Sequence, residues 1–93
     1  MMATDFHSVG RAARKTRPRI EIQTPDAGAV VTFDVEVGVG EPGQVRPLMT
    51  VKGPGVHTFP KDIEAGQLVS VRYPGGHPGD KVNATIHWDY PPS

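Results

Sequence analysis

The stretch Ala29-Val30-Val31-Thr32-Phe33-Asp34-Val35-Glu36-Val37-Gly38-Val39 puts Val31, Phe33, Val35, Val37 and Val39 at every second position, with Thr32, Asp34, Glu36 and Gly38 between them. Successive side chains of a strand point to opposite faces, so this spacing predicts a strand with one dry and one wet face. Lys81 to Tyr90 repeats the pattern, with Val82, Ala84, Ile86, Trp88 and Tyr90 on one side and Asn83, Thr85, His87 and Asp89 on the other. Gln67 to Tyr73 and Arg19 to Thr24 carry β-forming residues at the same spacing, Leu68, Val69 and Val71 in one and Ile20 and Ile22 in the other. Val45 to Val51 and Gly55 to Phe59 complete a set of six predicted strands. Pro47 has no amide hydrogen for a central ladder, which assigns its strand to an edge or a bulge.

Between these runs lie turn sequences: Thr24-Pro25-Asp26-Ala27-Gly28, Gly40-Glu41-Pro42-Gly43, Lys52-Gly53-Pro54-Gly55 and Tyr73-Pro74-Gly75-Gly76-His77-Pro78-Gly79-Asp80. Strands this closely spaced leave no room for the crossover segments a parallel sheet needs. The expected fold is therefore all-β, a small antiparallel immunoglobulin-like sandwich or a barrel. Pro60 to Gly66 has the length of a single helical turn at a corner between sheets, with Ile63 plugging the core.

The chain has 93 residues, the size of one domain, and its hydrophobic share of 37% implies a small core. It has no cysteine, which excludes disulfides, thiolate metal sites and thiol nucleophiles. No apolar run reaches the ~18–20 residues that cross a bilayer, and Asp5 and His7 stand where a signal peptide would place its apolar stretch. A soluble chain, not bound to a membrane, is expected.

The first nineteen residues differ in kind. Arg11, Arg14, Lys15, Arg17 and Arg19 face a single acid, Asp5, for a net of +4, and the other seventy-four residues carry −4. Residues 1–18 read as a basic N-terminal arm, extended or as a short helix, ahead of a β-domain over 19–93. The five cations are the expected partner-binding residues. An acidic body with a basic arm suits self-assembly or docking onto a protein, whereas nucleic-acid binding calls for a basic body and a stacking row.

Other motifs reduce to ordinary strand sequence. Gly38, Gly40 and Gly43 spell G-x-G-x-x-G, but Pro42, Gly43 and Pro47 forbid the helix whose amides would hold a phosphate. His7, His57, His77 and His87 are too scattered for a metal site, which needs at least three converging ligands. His87 with Asp89, or with Asp34 or Glu36, lacks a marked nucleophile or oxyanion cradle, so no catalytic, cofactor-binding or metal residue is assigned and no enzyme is expected. Asn83-Ala84-Thr85 matches a glycosylation acceptor but lies within a predicted strand. Trp88, Tyr90 and Tyr73 offer a possible ligand platform for sugars, the alternative being that Trp88 anchors the core.

The arm Arg11-Ala12-Ala13-Arg14-Lys15-Thr16-Arg17-Pro18-Arg19, joined to strands such as Val30-Val31-Thr32-Phe33-Asp34-Val35-Glu36-Val37, resembles in architecture the capsid decoration proteins of tailed bacteriophages. That resemblance implies a structural virion protein, often trimeric or sited on local symmetry axes, which binds the major capsid protein and stabilises the shell. Without it the expected location is the cytoplasm. A weaker similarity, through Phe59-Pro60, Ala65-Gly66-Gln67, Val69-Ser70-Val71 and Val82-Asn83-Ala84-Thr85-Ile86, is to immunoglobulin-like domains of actinobacterial cell-envelope proteins. Members of that group typically carry paired cysteines, which this sequence lacks.

Overall fold

The computed structural model describes residues 6–23, 33–73 and 83–90. Within them the chain forms seven strands, β1 (His7–Arg11), β2 (Arg19–Gln23), β3 (Phe33–Val39), β4 (Arg46–Gly53), β5 (Gly55–Thr58), β6 (Leu68–Arg72) and β7 (Asn83–His87). They make two sheets, one in the order β1-β6-β3-β4 and the other β5-β2-β7, and every pairing is antiparallel. The all-β expectation holds, and no helix occurs among the described residues.

The alternation that predicts the strands also determines the core. Val35 and Val37 of β3 are fully buried while Asp34 is exposed and Glu36 half-buried, and Ile20 and Ile22 of β2 are buried between exposed Arg19 and Gln23 in the opposite sheet. Val51 of β4 and Val69 of β6 add to the same cluster, which Phe59 and Ile63 join from outside the strands. Burying these side chains is the main favourable term in holding the layers together.

Pro47 lies on an edge strand, because β4 has β3 as its one partner among the described residues; it also adjoins the register shift between Val37 and Gly38. Residues 60–66 form turns rather than a helical one. Ile63 is buried as expected, held by reciprocal backbone bonds with Thr16 (Thr16 N to Ile63 O 2.9 Å, Ile63 N to Thr16 O 2.7 Å). The run expected to alternate through Tyr90 leaves the strand at His87, and Asp89 takes a left-handed φ of 50°. Residues 29–32 and 81–82 of the expected strands, and most of the 73–80 turn, lie outside the described residues.

The basic arm requires correction. Residues 7–11 are a strand, β1, paired along β6 from His7↔Val71 to Arg11↔Leu68. The backbone pairing continues beyond it: the Ala12 amide donates to Gln67 O at 2.9 Å, the Gly66 amide to Ala12 O at 2.8 Å, and the Phe59 amide to Pro18 O at 2.9 Å. Ala12, Thr16 and Pro18 are buried, with Arg17 and Arg19 outside, so the segment has its own in-and-out pattern. The physical reason is the edge of β6. Val69 and Ser70 are buried, and without β1 their strand would leave a row of unpaired backbone groups beside the core. Residues on both sides of position 18 thus join the same hydrogen-bonded β structure.

Candidate interaction surface

The five cations of the N-terminal segment are spread over the surface by this pairing, and four of them meet acids of the body. Arg11 Nη1 lies 2.6 Å from Glu41 Oε2 and also donates to Gly66 O at 2.7 Å. Arg19 grips Asp89 with two bonds, Nε to Oδ2 at 2.7 Å and Nη2 to Oδ1 at 3.1 Å. Arg17 Nε reaches Asp62 Oδ1 at 3.2 Å, and Lys15 Nζ stands 3.8 Å from Glu64 Oε2. Arg14 has no acidic partner among the described residues and lies over the Tyr90 ring, 4.9 Å from its centroid. The +4 of the segment and the −4 of the body thus meet within one molecule.

These contacts shift the acids. The Arg11 hydrogen bond, more than its charge alone, holds the Glu41 carboxyl below the usual range, and Arg19 does the same to Asp89. In return both guanidiniums are pushed further up. Glu21 is lowered first by its bond with His87 (His87 Nε2 to Glu21 Oε1, 3.0 Å) and then by Gln23. His87 is therefore oriented by Glu21, across the pairing of β2 and β7, rather than by Asp89. Asp34 and Glu36 sit in the other sheet, tied to Lys52 at 2.6 Å and Arg72 at 2.7 Å. No group of three or more metal-ligating side chains converges among the described residues.

The structure divides the three aromatic residues of the expected platform. Trp88 and Tyr90 stack, with centroids 6.1 Å apart and planes 6° from parallel, while Tyr73 packs edge-on against Phe33 at 5.3 Å. Trp88 is half-buried against the core, and the Thr16 hydroxyl donates to its carbonyl oxygen. A Cβ at Gly10 would sit 3.0 Å from the indole, so the glycine lets β1 lie close to Trp88. The Tyr90 hydroxyl accepts the Ala13 amide hydrogen at 2.7 Å. Trp88 and Tyr90 are thereby engaged in fastening the N-terminal segment to the sheet that ends in β7.

Each sheet has two outer strands, and β4 and β5 lie on the side away from β1 and β7. They are joined through Gly53-Pro54-Gly55, whose Gly53–Pro54 bond is cis. Each has one strand neighbour among the described residues and a second edge free of strand partners. Val56 of β5 is 53% exposed, the single large apolar side chain so exposed among the described residues. Sequence reasoning placed an edge at Pro47 but missed Val56, whose short run shows no polar alternation to mark its outward face. It also missed Glu41, Asp62, Glu64 and Asp89 as partners of the basic segment, although the mirrored charges of the two parts of the chain were a signal.

Comparison with protein-family models, with curated proteins and with solved structures gave no match for this chain. No helix among the described residues is long and apolar enough to cross a membrane.

Proposed function

We propose that the chain is a non-enzymatic structural protein that docks onto a larger oligomeric assembly, with a tailed-phage capsid and its major capsid protein as the assembly that the architectural resemblance names. The observation that carries this reading is the pair of outer strands, β4 and β5, with Val56 exposed beside them. An uncovered strand edge presents backbone donors and acceptors that another chain can pair with, and an apolar side chain there adds an anchor. The ion pairs of Arg11, Lys15, Arg17 and Arg19 shift the weight of recognition from the basic segment to the shape and edges of the body.

The immunoglobulin-like reading draws on the central pairs. The second and fifth strands adjoin in one sheet and the third and sixth in the other, as in that fold, while the first and seventh lie each in the sheet expected of the other.

The test is the mass of the native complex recovered with the tagged full chain. A megadalton shell supports the reading, and a monomer in the native extract overturns it.

A further inference from the structure

Among the described residues every carboxylate has a basic partner: Glu21 with His87, Asp34 with Lys52, Glu36 with Arg72, Glu41 with Arg11, Asp62 with Arg17, Glu64 with Lys15 and Asp89 with Arg19. Three cations are left without an acidic partner there, Arg14, Arg46 and Lys61. Arg14 lies on Tyr90. The other two, distant in sequence, line the same groove. It has a volume of about 130 Å³ and runs between the start of β4 and the corner that leads into β6, walled by Val39, Pro47, Leu48 and Ile63 with Arg46, Lys61 and Gln67 around them.

The polar groups of this groove are of one kind. Arg46 and Lys61 carry donors only. The Gln67 side-chain oxygen already accepts the Glu64 amide hydrogen at 2.8 Å, which leaves its amide nitrogen, a donor, without a partner among the described residues. Ile63 is fully buried and Val39 and Leu48 half-buried, so the floor is apolar. The space is close to that which holds a benzene-sized group. Donors around an apolar seat fit a carboxylate next to an aliphatic or aromatic side chain.

We propose that this groove docks an acidic peptide segment of a partner protein, seating one apolar side chain on Val39, Pro47 and Leu48 while the neighbouring carboxylates meet Arg46, Lys61 and the Gln67 amide. The inference rests on the docking reading above and names the chemistry of the surface that would serve it. An apolar seat is what separates such a peptide from a nucleic acid, which would use the cations and leave Pro47 and Leu48 unmatched.

The probe is a short fluorescein-labelled peptide of alternating glutamate and leucine, titrated by fluorescence anisotropy against the full chain. Saturable binding is expected that weakens with salt, as exposed charges are screened. The double variant Arg46→Gln/Lys61→Gln should weaken it about five- to tenfold, the joint effect of two exposed ion pairs. Lys52→Gln, which removes a charge elsewhere on β4, should leave it unchanged. A serine-for-leucine version of the peptide should bind more weakly than the original. Equal binding of the two peptides, equal binding by the double variant, or equal loss in Lys52→Gln overturns the proposal. A megadalton complex that retains the double variant undiminished also overturns the groove while leaving the docking reading intact, and a monomeric native chain overturns the docking reading itself.

Discussion

At the scale of single residues, the structure separates apolar side chains that hold the fold from the one that does not. Phe59 is 1% exposed and belongs to the buried cluster, so Phe59→Ala should destabilise the protein by about 3–5 kcal/mol in chemical denaturation. Val56, 53% exposed, should give a change within about 0.5 kcal/mol when replaced by alanine, yet Val56→Glu should reduce recovery of the native complex. Gly53 is constrained by packing. A Cβ there would stand 2.6 Å from the Phe33 ring and 2.7 Å from Ile22, at the point where both layers close over the end of β4. Gly53→Ala should therefore cost about 1–3 kcal/mol, the range for overpacking a filled core, read as a lower denaturation midpoint with an unchanged slope.

At the scale of elements, β1 makes the sharpest prediction. If residues 1–18 were a detachable arm, a chain beginning at Arg19 would melt like the full protein. Since β1 covers the edge of β6 and Thr16 bridges Ile63, the truncated chain should melt at a clearly lower temperature or lose its cooperative transition, as followed by circular dichroism. β2, β3 and β7 were legible from period-two alternation, and β4, β5 and β6 from short β-forming runs set between turn sequences. β1 was not legible. His7-Ser8-Val9-Gly10-Arg11 has one large apolar residue, and a register shift between Ser8 and Gly10 interrupts what alternation there is. What fixes it is tertiary: the backbone of β6 on one side and the indole of Trp88 over Gly10. The charge imbalance of the segment was legible and its destination was not, since the paired residues lie 30 to 70 positions away, for reasons that only strand order determines.

For the whole molecule, the dispersed ion pairs tie stability to pH. Glu21, Glu41 and Asp89 each have a folded pKa below the ordinary carboxylate value, so folding favours their ionised forms. Their contribution is fully present above the unfolded pKa and disappears as pH falls through the lowered folded values. Melting temperature should thus change little between about pH 6 and 8 for these groups and decline below about pH 4, where the carboxylates gain protons. Arg11→Ala should flatten the part of that decline due to Glu41, by abolishing the contact that lowers it. High salt should blunt the same dependence, because the pairs are exposed.

The strand order also has a bearing on synthesis. β2 is made early and occupies the middle of its sheet, yet one of its two neighbours, β7, is the last of the described strands to be made. Until residues 83–87 emerge, Ile20 and Ile22 sit on an incomplete layer, and the nascent chain passes through a stage with unpaired backbone and uncovered oily side chains. A ribosome stalled before Asn83 should hold a protease-sensitive chain that binds holdase chaperones, with protection arriving abruptly, rather than strand by strand, once residues 83–87 emerge.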